Sequence, residues 1–194
     1  MLITRTTCRA CGSSALTDVI SLGRQRLASN FQLSEKYPPV TTSIPLEVVR
    51  CDPRRDEKAC GLVQLRHTVP PSLMYSSYGY RSGVNDTMRR HLAGIAKQAE
   101  GRVGLDAEDL VIDIGANDGT LLSSYTGRHG VAQYVGFEPS NIEPDVIPPR
   151  VRWVRDFFSA KALQNNVALA DYEYGAEIIT SIAMFYDLED PNQF

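Results

Sequence analysis

The sequence predicts an α/β protein in which a small, metal-bound module precedes a parallel β-sheet covered by helices on both faces. Two observations support this prediction. Four cysteines lie within the first 60 residues, in a stretch with too few apolar residues to fold on packing alone. From about residue 87 onward, short apolar runs alternate with helical stretches at the spacing of β-α-β units.

The composition is that of an ordinary globular protein and excludes several classes of function. Of the 194 residues, 43% are hydrophobic and 22% are charged, and the formal net charge is −3. A mildly acidic chain without a basic stripe is not expected to bind nucleic acid. The sequence has no membrane-spanning apolar run, and residues 1–7 contain no apolar core of a secretory signal. We therefore expect a cytoplasmic protein without a membrane partner.

The four cysteines predict a structural zinc site. Cys8 and Cys11 form a C-x-x-C pair followed by glycine, which is the usual half of a zinc knuckle. Cys51 and Cys60 are separated by eight residues, which is a longer gap than usual, but Cys60 is again followed by glycine. The alternatives are two disulfides, unrelated buried thiols, or a redox pair at Cys8 and Cys11. Four thiolates would complete a tetrahedron, leaving His67 as a spare candidate ligand and no open position for chemistry.

The first 68 residues are predicted to form this zinc-binding module from short strands and turns. Strands are expected over 18–22, where Gly23 follows, and over 44–50. Residues 69–86 are a connecting loop rich in glycine, serine and proline. The loop holds three tyrosines within six residues, and they cannot all face one core.

Residues 87–194 are predicted to form the sheet domain. A helix over 87–100 places Met88, Leu92 and Ile95 on one stripe, with Asn85 or Asp86 as its cap. The other predicted strands cover 110–114, 134–138, 151–154 and 177–183. One further helix is predicted to begin at Thr120, and another to cover 160–170.

The run over 111–119 has the features of a ligand-binding turn, because an apolar strand ends in an acid and turns through glycines into a helix. It lacks the G-x-G-x-x-G pattern of dinucleotide binders, and its carboxylate suits a cationic amino-acid ligand better than a pyrophosphate. One position where most such loops have glycine is asparagine, which tolerates a positive φ. The candidate ligand-binding residues of this run are Asp113, Gly115, Asn117, Asp118 and Gly119.

Residues at the ends of the next two strands complete a nucleoside-binding pattern. Glu138, followed by Pro139, is placed to accept hydrogen bonds from both ribose hydroxyls of an adenosine. Asp156 and Phe157 offer a carboxylate to the adenine amino group and an apolar face to the ring. Together, these motifs resemble the signature of S-adenosylmethionine (SAM) methyltransferases. The alternatives are NAD binding and, for Asp113, an acid that only caps a turn.

Over its whole length, the sequence is similar to one family, the SAM-dependent C-methyltransferases of nucleotide-activated deoxysugars. The zinc module joined to the Tyr-x-Ser-Gly-x-Asn-x-Thr-Met motif is more specific than the methyl-donor loop, which a whole superfamily shares. The segments that carry the resemblance are 22–31, 60–65, 80–88, 113–122, 136–140 and 181–191.

This resemblance implies an N-terminal zinc-binding domain, a central Rossmann-like SAM domain of class I, and a C-terminal domain that completes the sugar site. It implies a thymidine-diphosphate-linked keto-deoxysugar as substrate. A base would remove the proton α to the ketone, and the resulting enolate would attack the methyl group of SAM.

The resemblance also suggests roles for further residues. Tyr75 and Tyr78 are candidates for the substrate side, where their hydroxyls would bind or polarise the keto-sugar; the alternative is that they only pack the zinc module onto the sheet. The candidates for the donor's amino-acid end are Tyr80, Ser82 and Asn85. The residues expected to line the SAM pocket after the fourth strand are Ser181, Ala183 and Met184.

The general base is expected to lie outside these 194 residues. The family's base is a histidine of a Glu-His pair, and His67, His91 and His129 do not match it. Because only four strands are found, we expect an N-terminal portion of a longer, truncated sheet that has no methyl-transfer activity alone. The alternative function is a zinc-stabilised module that binds SAM or a nucleotide sugar without turnover.

Overall fold

The computed structural model describes residues 2–27, 43–75, 78–126, 133–144, 151–168 and 175–194. The chain divides into two compact units. The first contains Met1–Ser76 and Leu188–Gln193, and the second contains Ser77–Asp187 and Phe194. Inclusion of 188–193 in the first unit is a feature that the sequence did not predict. The module boundaries at 68 and 86 stay a prediction.

The described residues of the first unit form two small antiparallel sheets and one short helix, α1 (Pro71–Tyr75). Strand β1 (Ile3–Thr4) pairs with β5 (His67–Thr68). The other sheet consists of β2 (Leu16–Arg26), β3 (Ser43–Cys51) and β4 (Val63–Leu65), in that order. The core among these residues is small: its buried apolar side chains are Cys8, Val49, Cys51 and Ala59. Such a core supports folding weakly without a metal.

Strand β2 is longer than predicted. The sequence indicated an end at Gly23, but pairing with β3 continues to Arg26 because the register shifts between Ser21 and Arg24. The irregularity accommodates the glycine inside the strand instead of ending it.

The described residues of the second unit form the helices α2 (Asp86–Val103) and α3 (Ala160–Asn166) and the strands β6 (Leu110–Ile114), β7 (Gln133–Phe137), β8 (Val151–Val154) and β9 (Ile178–Ser181). The strands form a fully parallel sheet of order β8-β7-β6-β9, which confirms the predicted α/β class. Val111 of β6 lies in one buried cluster with Leu92 of α2, and Ile112 lies in another cluster with Ala162 of α3. Helices therefore cover both faces, as alternating strand residues require.

Helix α2 begins where its capping signal indicates but ends three residues later than predicted. The side chain of Asn85 accepts a hydrogen bond from the backbone N–H of Met88 at 2.8 Å, so asparagine is the cap rather than Asp86. The helix runs to Val103, beyond the predicted end at 100, and Gly104 closes it.

The helix predicted from Thr120 is wrong in the described part of the chain, where only a 3₁₀ turn over Leu122–Ser124 is present up to residue 126. The hydroxyls of Ser123 and Ser124 bond back to the carbonyls of Gly119 and Thr120 at 2.8 Å each. Serine side chains that bond to the backbone in this way compete with regular helix. Helix α3 is also shorter than predicted, ending at Asn166, and residues 169–170 lie outside the described ranges.

Substituting Gly136 by alanine should destabilise the second unit. A Cβ at this position would lie 2.9 Å from Trp153 Cζ3 and 3.0 Å from Leu122 Cδ1. We expect the free energy of unfolding to fall by about 1–3 kcal/mol, measured by urea denaturation followed through the fluorescence of Trp153, the single tryptophan.

Gly94→Ala in α2 is the matched control, because a Cβ there would meet nothing within 4 Å. It should leave stability unchanged or raise it by about 0.5–1 kcal/mol through helix propensity. Equal stability of the Gly136→Ala variant and the wild type would contradict the packing of β7.

Within the described ranges, no helix combines the length and apolar character needed to cross a bilayer.

Candidate functional site

The four cysteines of the first unit form one cluster whose geometry suits a tetrahedral metal. Their sulfurs all lie within 4.8 Å of one another, with Cys8 and Cys60 3.6 Å apart and Cys11 and Cys51 3.5 Å apart. A zinc ion with Zn–S bonds of about 2.3 Å places tetrahedral sulfurs about 3.8 Å apart. A disulfide would require an S–S distance of about 2.05 Å. The sulfur spacing is therefore compatible with four thiolate ligands to one metal ion and is longer than a disulfide bond; the ligand set itself stays a prediction.

The eight-residue gap between Cys51 and Cys60 is a compact loop organised by two aspartates. Asp52 is buried, and its carboxylate accepts bonds from Arg54 Nε at 3.0 Å and from Arg54 Nη2 at 2.8 Å. Asp56 accepts from Ser13 Oγ at 2.6 Å, which ties the loop to the segment after Cys11. These bonds hold the pKa of both carboxyl groups below their usual range. The loop thus behaves as a structured turn, and its length does not weaken the site.

The backbone around the thiols favours metal ligation. Gly12 and Gly61, which follow a cysteine in each half, both have positive φ, so each knuckle makes its tight turn there. Hydrogen bonds from the backbone N–H groups of Ser13 and Cys60 lower the pKa of Cys11 to about 6, whereas burial raises the pKa of Cys51 to about 11. A bound dication would hold all four groups as thiolates.

The segment Leu188–Gln193 packs against the first knuckle. Glu189 forms an ion pair with Arg5, and Asn192 Nδ2 donates to the carbonyl of Ala10 at 2.8 Å. Arg9 donates to the carbonyl of Leu188 at 3.1 Å. These contacts join residues that are distant in sequence, and no local pattern could have predicted them. His67, the spare candidate, is not part of the cysteine cluster.

In the second unit, Asp113 lies at the carboxyl end of β6, buried on the face that carries Val111. Its Oδ1 accepts a hydrogen bond from Thr180 Oγ1 of β9 at 2.7 Å. Burial is the main cause that raises the pKa of this carboxyl to about 6, with a further contribution from the charge of Glu138. Asp113 therefore carries its negative charge at neutral pH, close to where β6 meets the glycine turn.

The glycine turn opens the backbone at the edge of the sheet. Gly115 and Gly119 have positive φ, and so does Asn117 at 55°. The N–H groups of Gly115 and Ala116 both donate to the carbonyl of Phe137 at 2.9 Å, which fixes the turn against β7. Gly115 is exposed and has no side chain of its own to cover its backbone.

Glu138 is buried and held in a fixed orientation immediately after β7. Its Oε2 accepts from the backbone N–H of Asn117 at 2.7 Å, and its Oε1 accepts from that of Ser140 at 2.9 Å. Each carboxylate oxygen retains a second lone pair. The group is thus preorganised to accept two hydrogen bonds from vicinal hydroxyls.

A segment that we call the strap (residues 78–84) lies against the glycine turn. The side chain of Asn117 accepts from the N–H of Ser82 at 2.8 Å and donates to the carbonyl of Tyr80 at 2.9 Å. Asp118 accepts from the N–H of Gly83 at 2.7 Å. The structure therefore brings the predicted residues of the turn and of the strap together. The side chains of Asn117 and Asp118, which were predicted to bind the ligand, form hydrogen bonds to the strap.

The tyrosines fall in different units. Tyr78 and Tyr80 are in the strap, with ring centroids 6.4 Å apart, and burial raises the pKa of Tyr78. Tyr75 ends α1 in the first unit. Asn85 uses its side chain to cap α2, His91 is exposed on that helix, and His129 lies outside the described residues.

The other candidate residues lie at the carboxyl ends of β7, β8 and β9 or directly after them, at the same edge of the sheet. Asp156 and Phe157 are exposed, and Pro139 is half-buried beside Glu138. Ala183 has a φ of 56°, and Met184 lies over the turn, since a Cβ on Gly115 would come within 3.5 Å of its Cγ. The hydroxyl of Ser181 contacts Met184 Sδ at 2.8 Å.

Two residues that support this edge were missed by the sequence reasoning. Thr180 orients Asp113, as described above. Arg155 donates to the carbonyl of Ser140 at 2.9 Å and to that of Ile142, and its guanidinium lies 5.9 Å from the ring centre of Trp153. Arg155 directly follows the predicted strand 151–154, which is a signal that could have identified it, whereas Thr180 lies inside the predicted strand 177–183 and gave no such signal.

Two comparisons with known proteins bear on the chain. Residues 8–75 match a protein-family model described as "Putative zinc binding domain". Over 133 residues, the chain is 31% identical to the C-methyltransferase NovU from Streptomyces niveus. The predicted resemblance is confirmed as similarity to a C-methyltransferase and to a zinc-binding domain model. The matched region is 69% of this chain but 30% of the relative, so the chain spans less than a third of that protein's length.

Proposed function

We propose that this chain provides the zinc-binding and SAM-binding parts of a methyltransferase that C-methylates a nucleotide-linked keto-deoxysugar through an enolate. The observation that carries the proposal is the pair of buried carboxylates, Asp113 and Glu138, beside a glycine turn that exposes Gly115. The similarity to a C-methyltransferase supports the same reaction class. The cytoplasmic location and the nucleotide-sugar partner belong to this proposal.

The residues fit SAM by the chemistry of their charges. The carboxylate of Asp113 attracts the ammonium group of the donor, and the two oriented oxygens of Glu138 accept the ribose hydroxyls. Phe157 offers an exposed apolar ring to the adenine, with Asp156 beside it. When bound, SAM supplies an electrophilic methyl group, and the chain's own contribution is to hold it in a fixed orientation.

Tyr78 is proposed to act on the substrate side as a hydrogen-bond donor, with Tyr75 in a similar role. Because burial raises the pKa of Tyr78, its phenol stays protonated at neutral pH and can polarise a ketone, but it is a poor base. Among the described residues of the second unit, the one histidine is His91, on the exposed side of α2. We therefore expect SAM binding without turnover from these 194 residues alone, and methylation of a keto-deoxysugar nucleotide by them would contradict this expectation.

The affinity for SAM should rise between pH 5 and pH 7. Below about pH 6, Asp113 is protonated and loses its attraction for the ammonium group. At pH 5, we expect affinity about tenfold lower than at pH 7, measured by isothermal calorimetry with the zinc-loaded chain.

The stability of the ligand-free protein should change in the opposite direction. A folded-state pKa raised above the unfolded value of about 4 contributes stability at low pH, and this contribution is lost as pH rises through 6. The Asp113→Asn variant is the control, because it should remove both trends. A wild-type affinity that is flat from pH 5 to 7, or an equal slope in the variant, would exclude Asp113 from the donor site.

A further inference from the structure

We propose that Asn117 is a positioning residue that couples the donor site to the strap, so that binding of the donor also sets the positions of Tyr78 and Tyr80. This inference rests on the proposed function for its donor, but its structural basis is independent of any ligand. Asn117 contacts both Glu138 and the strap.

The backbone of Asn117 belongs to the donor site. Its N–H donates to Glu138 Oε2 at 2.7 Å. A ligand that forms hydrogen bonds to this carboxylate therefore also affects the position of the turn. Asn117 holds a φ of 55°, a conformation that glycine adopts at lower cost than asparagine. The backbone of the turn would therefore accept glycine at position 117. What the Asn117 side chain adds is its hydrogen bonds.

The side chain of Asn117 forms hydrogen bonds to the strap. Its Oδ1 accepts from the N–H of Ser82 at 2.8 Å, and its Nδ2 donates to the carbonyl of Tyr80 at 2.9 Å. These two bonds of opposite polarity require an amide, because an aspartate has no donor and glycine has neither group. They act on the segment that carries the two tyrosine rings.

A second tie fixes the end of the strap independently. Asp118 Oδ2 accepts from the N–H of Gly83 at 2.7 Å, and its Oδ1 accepts from Thr120 Oγ1 at 2.6 Å. A Cβ on Gly83 would lie 2.7 Å from Thr120 Oγ1, so the strap lies directly against the turn at this point. Loss of the Asn117 amide should therefore release Tyr80 and Ser82 while Gly83 stays anchored.

The first measurement is amide hydrogen exchange in the zinc-loaded, ligand-free chain, resolved by NMR for single residues. In Asn117→Gly, we expect the Ser82 amide to exchange about fivefold faster or more, while the Gly83 and Ile112 amides stay within about twofold. Asn117→Asp, which keeps the acceptor for Ser82 but not the donor for Tyr80, should retain most of the protection at Ser82. Unchanged exchange of Ser82 in Asn117→Gly would overturn the proposal.

The second measurement adds SAM and follows the ring resonances of Tyr78 and Tyr80. In the wild type, we expect SAM to shift both rings and to slow exchange of Ser82 further. In Asn117→Gly, at a SAM concentration that calorimetry shows to saturate the variant, we expect the two rings to shift less than in the wild type; equal shifts in both proteins would overturn the coupling. If SAM fails to bind the wild type, the proposed donor and the coupling to it both fail, while the exchange of Ser82 still tests the tie between turn and strap.

Discussion

Removal of zinc should unfold the first unit and leave the second unit folded. The apolar core of the first unit is small, and apparent binding energies of about 10–16 kcal/mol for structural zinc exceed what such a core supplies. The parallel sheet has its own buried clusters on both faces. On addition of a strong chelator, we expect loss of far-UV dichroism from the first unit and reaction of all four thiols. The fluorescence of Trp153, which packs within the second unit, should stay constant.

The same claim can be tested by substitution. Cys60→Ser should purify with less than about half an equivalent of zinc, because three thiolates leave the tetrahedron incomplete. His67→Gln is the matched control and should retain a full equivalent, since this histidine lies outside the cluster. Full zinc content in Cys60→Ser, or four freely titratable thiols in the wild type, would refute the site.

Replacing Glu138 by glutamine should weaken SAM binding about 100-fold. The substitution puts an amide NH₂ against one of two backbone donors, the N–H of Asn117 or that of Ser140, and leaves one oxygen for two ribose hydroxyls. Isothermal calorimetry measures the effect, and the unfolding midpoint shows whether the turn survives.

Glu143→Gln is the matched control for this variant. Glu143 lies on the same loop and pairs with Arg155 at 2.9 Å, but its side chain is 83% exposed. Affinity within about twofold of the wild type is expected for the control, since an exposed ion pair contributes little. A similar loss in both variants would mean that charge near the loop, rather than the oriented carboxylate, governs binding.

The sheet was largely predictable because its signals are local. The apolar run over 110–114 and the glycines after it predict β6 with its observed bounds, and 151–154 is likewise observed as β8. The cysteine knuckles were predictable for the same reason, since each is a cysteine beside a glycine. In these places residue type and spacing alone determine the backbone.

The rest depends on contacts between distant residues. Leu188–Gln193 packs in the first unit through the ion pair of Glu189 with Arg5, which no local pattern encodes. From sequence alone, the long gap between Cys51 and Cys60 weakens the prediction of a zinc site. In the structure, Asp52 organises this loop through its hydrogen bonds with Arg54. Asn117 was expected to contact the ligand as part of a glycine-like turn, and sequence alone cannot indicate that its amide bonds to the strap.

The most direct test of the account is calorimetric titration of the zinc-loaded chain with SAM, carried out at pH 7 on the wild type, Asp113→Asn and Glu138→Gln. We predict one site in the wild type and weaker binding in both variants, with unfolding midpoints that show all three proteins to be folded. No binding by the folded wild type, or unchanged affinity in both folded variants, would contradict the assignment of the sheet edge as a donor site.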